Sequence, residues 1–189
     1  MTSPRPLRAD AARNRARIMT AAHEQITEHG PGVSMEQIAA ASGVAVGTLY
    51  KHFPNKTDLV AAVVAAAFTA VAEDAEASLQ RADQGSPAIT EFTGFLTRLM
   101  DVAAHNHAVK AAARDLHADH DAHPAMREVE ARAAEALTRL VRAAQEQRGL
   151  RADFTVDDVY LLFSTFPADQ PPAARERWLA LVFTGLTAS

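Results

Sequence analysis

Apolar residues recur along this chain at every third or fourth position, which is typical of helices with one buried face. No segment sustains the two-residue alternation of a half-buried strand. Clusters of Gly and Pro separate the periodic segments and mark the connections between them. The pattern predicts an all-α protein of nine helices, at about residues 11–29, 35–42, 45–52, 56–83, 87–104, 107–116, 124–149, 156–166 and 173–186.

Local signals define the ends of the helices between residues 34 and 58. Ser34 is a favourable N-cap, and Gln37 three residues later completes a capping box. Gly43 is expected to end that helix, because glycine readily adopts the left-handed backbone of a C-terminal cap. Pro54 disfavours helical geometry at the residue before it and so ends the next helix. Asn55 is a good N-cap for the long helix that follows.

The two short helices predict a helix-turn-helix. Residues that can form their shared apolar corner are Ile38, Ala39, Val44 and Leu49. The second helix starts with small residues, which let its backbone approach a DNA duplex, and continues with donors for phosphates and base edges. Lys56 adds a cation at the start of the next helix, beside free backbone N–H groups. The residues displayed by the second helix are Ala45, Val46, Gly47, Thr48, Tyr50, Lys51 and His52.

One long segment resembles the DNA-binding domain of the TetR/AcrR family of transcriptional repressors. It is Arg17 to Val60, RIMTAAHEQITEHGPGVSMEQIAAASGVAVGTLYKHFPNKTDLV, and its specific core is Gly-Thr-Leu-Tyr-x-His-Phe-x-x-Lys. The resemblance implies an all-helical homodimer that binds a palindromic operator on double-stranded DNA. It also implies that the operator is released when a small molecule enters the C-terminal domain.

The same resemblance implies roles for individual residues. Those expected at backbone phosphates are Thr48, Tyr50, His52 and Lys56. Those expected at base edges are Val46, Gly47 and Lys51. The supporting helix would begin with Ser34, Met35 and Glu36, where family members place a hydroxyl on a phosphate. Met35 stands where some members have Thr, and Ala45 where Ser is common, so two hydroxyl contacts are expected to be missing.

The distribution of charge changes what the formal net charge of −4 indicates. Residues 1–56 carry seven Lys and Arg against four Asp and Glu, a balance of +3, whereas residues 57–189 carry −7. A basic segment next to an acidic one is compatible with DNA binding. Near the N-terminus, a flexible arm and helix end could reach phosphates or a minor groove, or could be simply a solvated basic end. Its arginines are Arg5, Arg8, Arg13, Arg15 and Arg17.

The predicted domain boundary separates a DNA-binding domain at 1–56 from a ligand-binding and dimerisation domain at 57–189. An apolar or amphipathic effector is expected among the central helices, although plain core packing explains each residue there as well. The candidate pocket residues are Phe68, Phe92, Phe95, Leu96, Leu99, Met100, Met126, Leu137 and Phe163. The last two helices are rich in apolar residues and indicate a four-helix dimer interface. Its candidates are Tyr160, Leu162, Trp178, Leu181, Val182 and Phe183.

Other classes of function have weaker support. Five of the eight histidines lie between His105 and His123 among aspartates, and a small helical enzyme or metal-binding protein could use them. Their spacing fits no defined metal site, and a polar surface loop explains them equally. No serine lies in a nucleophile elbow, and the chain has no cysteine. No catalytic residue, metal or cofactor is therefore predicted.

The sequence is interpreted as a DNA-binding transcriptional repressor that responds to a small molecule. No apolar run reaches the roughly 20 residues of a membrane helix, so a cytoplasmic protein without membrane contact is expected. An activator of the same fold is an alternative that the sequence leaves open.

Overall fold

The structure is a computed structural model, and it describes residues 5–30, 32–105 and 124–187. Every regular element within these ranges is an α-helix, apart from one isolated antiparallel bridge between Leu150 and Thr187. The all-α prediction is confirmed. The sixth predicted helix, at 107–116, lies outside the described residues. The helices are α1 (Arg5–His29), α2 (Met35–Ser42), α3 (Val46–His52), α4 (Lys56–Asp83), α5 (Ala88–His105), α6 (Pro124–Glu146), α7 (Val156–Thr165) and α8 (Pro172–Leu186).

The helix ends between residues 34 and 58 form as the sequence predicts. The Ser34 hydroxyl accepts from the Gln37 N–H at 3.2 Å, and the Gln37 side chain accepts from the Ser34 N–H at 2.8 Å. Gly43 ends α2 with a φ of +64°. Phe53, which precedes Pro54, has left the helical region with a φ of −137°. The Asn55 side chain then caps α4 by accepting from the backbone N–H of Asp58 at 2.8 Å.

Several helix boundaries differ from the prediction, most of them by one residue. Helix α1 starts at Arg5 instead of residue 11, because Leu7, Arg8 and Ala9 are strong helix formers and Pro6 is tolerated in a first turn. Residues 5–10 are therefore helical and not part of a flexible arm. Ala45 is the N-cap of α3 and not its first residue. Helix α6 ends at Glu146, three residues early, and Arg148 beyond it adopts a φ of +56°.

The chain divides into two compact units, Met1–Ala66 and Ala67–Ser189, and α4 contributes residues to both. The sequence-based boundary after Lys56 stays a prediction. In the first unit, helices α1, α2 and α3 pack around one apolar core. Its buried residues include Ile18, Ala21, Ala22, Ile26, Val33, Met35, Ile38, Ala39, Leu49, Phe53, Leu59, Val63 and Val64.

The second unit has a larger core, which α5, α6 and α7 share with the loop after α6. The rings of Phe92 and Phe154 meet edge to face with centroids 5.5 Å apart. One buried polar residue, Ser78, accepts hydrogen bonds from the guanidinium groups of Arg81 and Arg98 at 2.9 Å and 3.0 Å. The Arg98 guanidinium also binds the Asp74 carboxylate at 2.9 Å. These polar contacts join α4 to α5.

Candidate nucleic-acid interface

Helix α3 buries one side chain and presents the others outward. Leu49 is fully buried in the corner between the helices, together with Ile38 of α2. Tyr50 is 41% exposed and Val46 is 39% exposed, whereas Thr48 and His52 are half-buried. A seven-residue helix that uses a single leucine as its anchor leaves the rest of its surface free for another molecule.

Most of the predicted DNA contacts lie at or near the surface of the first unit. The exposed ones are Ala45, Val46, Gly47, Tyr50 and Lys51. The half-buried ones are Ser34, Thr48, His52 and Lys56. Because α2, α3 and the start of α4 follow one another through short caps, these residues belong to a single stretch of the chain.

Met35 differs from the other predicted DNA contacts in that its side chain is buried. Only 6% of this residue is exposed, and its side chain packs in the core of the first unit. Methionine is apolar and flexible and fills such gaps well, so burial is favoured over a position facing a charged ligand. The side chain of Met35 is therefore not at the surface, and only its backbone remains for a contact.

Gly47 exposes the backbone of α3. A Cβ atom built on this glycine meets no heavy atom within 4 Å, so the fold itself does not require a glycine here. The backbone at Gly47 is therefore open to close approach by another molecule.

The Tyr50 hydroxyl contacts an acidic side chain of the preceding helix. It donates to the Glu36 carboxylate at 3.4 Å, a long hydrogen bond that joins α3 to α2. The pKa of Glu36 lies below its ordinary value because its own backbone N–H, the Ser34 hydroxyl and the Tyr50 hydroxyl bind the carboxylate. Glu36 is thus an exposed anion among residues predicted to contact phosphates.

Two arginines of α1 hold the helix-turn-helix, and sequence reasoning missed these roles. The Arg15 guanidinium lies over the Phe53 ring, 5.1 Å from its centroid, which is a cation–π contact. The Arg17 guanidinium donates to the carbonyl of Gly43 at 3.2 Å. Arg13 forms an ion pair with Asp10 in its own helix. The side chains of Arg5 and Arg8 lie outside the described residues.

The predicted effector pocket consists mostly of closely packed residues. Those buried in the core of the second unit are Phe92, Phe95, Leu96, Leu99, Met100 and Leu137. Phe68 and Phe163 are half-buried, and the side chain of Met126 lies outside the described residues. A cavity of about 190 Å³ lies elsewhere in this unit, between α4 and α6. Its lining is largely charged and consists of Glu76, Leu79, Arg132, Glu135, Ala136 and Arg139.

The predicted dimer residues lie on α7 and α8. Leu181 is 57% exposed. Leu161, which was not among the predicted dimer residues, is 59% exposed. Burial raises the pKa of Tyr160 to about 12, with Glu130 and Asp157 contributing, so this phenol is partly enclosed within the chain. The half-buried members are Tyr160, Leu162, Trp178, Val182 and Phe183.

The histidine cluster between His105 and His123 lies outside the residues whose side chains are described. Within the described ranges, no group of three or more His, Asp or Glu side chains is arranged to hold a metal ion. None of the helices described there combines the length and the apolar character that a membrane crossing demands.

Comparison with known proteins identifies both parts of the chain. A family model described as bacterial regulatory proteins of the tetR family matches residues 18–63. A second, described as the C-terminal domain of SbtR-like transcriptional regulators, matches residues 86–188. The chain belongs to the TetR family. Its predicted helix-turn-helix and its predicted role in transcription regulation through DNA binding are confirmed.

Solved structures of TetR regulators cover nearly the whole chain. The TetR transcription regulatory protein from Mycobacterium vanbaalenii is 31% identical, with a TM-score of 0.72, over 97% of this chain and 100% of that one. A TetR regulator from Streptomyces coelicolor is 26% identical with a TM-score of 0.64, over 93% and 99% of the two chains.

An HTH-type transcriptional regulator of Staphylococcus aureus is 46% identical over 54 residues. That match spans 29% of the length of the curated relative and 28% of this TetR-family chain.

Proposed function

We propose that this TetR-family regulator is a repressor that binds a palindromic operator as a homodimer and releases it when a small molecule binds. The observation that carries the proposal is the outward face of α3, where Tyr50 and Lys51 are exposed beside the open backbone of Gly47. Such a face combines donors for phosphates with a backbone that can enter a major groove.

Charge supports the same face. Residues 1–56 carry a balance of +3 in a chain whose net charge is −4, so the excess of basic groups is confined to the segment that contains the helix-turn-helix. Lys56 adds a cation at the start of α4, next to the C-terminal end of α3. Favourable interaction with the phosphate backbone supplies most of the affinity in complexes of this kind.

A homodimer accounts for a palindromic operator. Two copies related by a twofold axis present α3 twice, and a twofold-symmetric site on DNA matches that arrangement. The exposed leucines on α7 and α8, Leu161 and Leu181, are the surface that we expect the second copy to cover.

The effector is expected in the second unit, near the predicted pocket residues, and to be apolar or amphipathic. Phe163 is half-buried against a core rich in phenylalanine and leucine, and Phe68 is half-buried on α4, which suits such a molecule. Binding that favours a protein conformation with weak affinity for the operator would release the DNA.

The experiment that tests operator binding is a selection of bound fragments from the source genome by the purified full chain. We expect one or a few fragments to be enriched, each with an inverted repeat. Affinity for an enriched fragment should fall steeply as salt rises, because several phosphates are neutralised in the complex. Enrichment no better than that of random DNA would refute the proposal.

The contribution of α3 is tested with a matched pair of variants. Lys51→Ala removes an exposed cation of α3, and Arg142→Ala removes an exposed cation of α6. We expect the first to weaken binding to the selected operator by about 1–3 kcal/mol and the second to leave it nearly unchanged. Equal losses would show that only total charge matters.

Repression is tested by placing the selected operator upstream of a reporter gene. Expression should fall when the regulator is present and recover in its absence. Expression that rises with the regulator would identify an activator instead.

A further inference from the structure

We propose that Glu36 competes with DNA phosphate for the Tyr50 hydroxyl and thereby limits the affinity of this surface for DNA of any sequence. This inference rests on the DNA-binding role proposed above for α3. Glu36 was not among the residues predicted to contact DNA, and its carboxylate is exposed beside two that were, Ser34 and Tyr50.

Glu36 and a DNA phosphate would compete for one donor, the Tyr50 hydroxyl. A tyrosine hydroxyl has one proton to donate. In the free protein that proton points to the Glu36 carboxylate, at an oxygen–oxygen distance of 3.4 Å. A phosphate that takes the same proton must displace the carboxylate. The distance is well beyond the 2.7–2.8 Å of a strong O–H···O bond, so a phosphate can displace the carboxylate from the hydroxyl, and the charge of Glu36 is the larger obstacle.

The negative charge of Glu36 also opposes the approach of a phosphate. Glu36 lies in the first turn of α2, where its own backbone N–H binds its carboxylate. The Ser34 hydroxyl binds the same carboxylate from the N-cap position. The carboxylate therefore stays ionised near neutral pH and stands where a phosphate would use the same donors. Two anions close together repel, so every DNA molecule must overcome this charge in each protomer.

Two roles for Glu36 predict opposite effects of its removal on DNA affinity. If Glu36 only oriented the hydroxyl, its removal would weaken DNA binding. If it competes with phosphate, removal of its charge strengthens binding, and part of that gain requires the Tyr50 hydroxyl. Such a competitor keeps non-specific affinity low, so that base contacts decide where the protein binds.

The test uses the full chain and a mixed-sequence DNA duplex of about 30 base pairs, so that no operator is needed. Glu36→Gln retains the shape and an acceptor oxygen but removes the charge. We expect it to raise affinity for the duplex by about three- to tenfold. The matched control is Glu24→Gln, which removes an exposed charge of α1 and should change affinity by less than about twofold.

A second comparison isolates the hydroxyl. In a Tyr50→Phe background, Glu36→Gln should raise affinity clearly less than it does in the wild type, because the contested proton is gone. An unchanged or reduced affinity of Glu36→Gln, or an equal gain in Glu24→Gln, would overturn the proposal. A wild-type chain that binds no duplex at all would instead refute the DNA-binding function on which the proposal rests.

Discussion

The guanidinium of Arg17 donates a hydrogen bond to the backbone carbonyl of Gly43, at 3.2 Å, and so joins α1 to the turn of the helix-turn-helix. A side chain at the turn would be disfavoured, mainly by the backbone conformation of Gly43. A Cβ atom on Gly43 would lie 2.6 Å from the Arg17 guanidinium, and the φ of +64° is strained for any residue with a side chain. Arg17 therefore has a structural contact within its own chain, separate from any contact with DNA.

Gly43→Ala tests this arrangement. The left-handed backbone costs an alanine about 1–2 kcal/mol, whereas the guanidinium can move aside at lower cost. We expect the free energy of unfolding, measured by urea denaturation, to fall by about that amount. Gly32→Ala is the control, because Gly32 has no positive φ and no heavy atom within 4 Å of the added Cβ. A Gly43→Ala variant as stable as the wild type would contradict the assignment of strain.

Gly47→Ala should separate stability from DNA binding. The added methyl group meets no atom of the chain, and alanine favours a helix over glycine, so we expect stability to rise by up to about 1 kcal/mol. If the backbone of α3 approaches base edges at Gly47, affinity for the selected operator should fall by about 1–3 kcal/mol. Urea denaturation and a fluorescence titration measure the two effects. A more stable variant with unchanged affinity would remove Gly47 from the interface.

Features that depend on near neighbours in the chain could be predicted from the sequence. The Ser34–Gln37 capping box, the left-handed Gly43, and the Asn55 cap each involve residues within a few positions of one another. The same holds for the helix-turn-helix, whose two short helices are contiguous. In such cases the pattern of side chains contains nearly all the information that decides the conformation.

Features that depend on distant residues could not be predicted. Arg15 and Arg17 are charged residues on an exposed helix, and nothing in their local sequence indicates that Phe53 and the Gly43 carbonyl lie next to them. Met35 stands at a position predicted to face DNA, and its burial follows only from how α2 packs in its unit.

In the second unit, too, some contacts could not be predicted from the local sequence. Gln145 donates to the carbonyls of Arg151, Ala152 and Phe154 at 3.0–3.2 Å and so organises the loop after α6. Gly149 allows Ile89 to approach, since a Cβ there would lie 2.8 Å from the Cβ of Ile89. A glutamine in the last turn of a helix and a glycine just beyond it have no such meaning in the sequence alone.

Ser78→Ala should destabilise the second unit. Ser78 is fully buried on α4, and its hydroxyl accepts hydrogen bonds from Arg81 and Arg98. Alanine would remove this acceptor from two exposed arginines that keep Glu91 and Asp74 as partners, so we expect a loss of only about 0.5–1.5 kcal/mol in the free energy of unfolding, measured in urea. Thr138→Ala serves as control, because that exposed hydroxyl only donates to the Ala134 carbonyl of its own helix. Equal small effects in both variants would show that the two arginines find other partners.

Leu161→Glu and Leu181→Glu test whether α7 and α8 form the surface between two copies of the chain. These leucines are 59% and 57% exposed, so a glutamate at either position loses little packing within its own chain. In a dimer interface, by contrast, a carboxylate would be buried without a partner, at a cost that few interfaces tolerate. We expect the wild type to sediment at about twice the chain mass of 20.3 kDa and the double variant at the mass of one chain.

Val102→Glu, which changes an exposed valine of α5 that is 37% accessible, should remain dimeric. A double variant that still sediments as a dimer would place the interface elsewhere. Its affinity for the operator gives a second measure, because a monomer presents α3 only once and should bind an inverted repeat far more weakly than the dimer does.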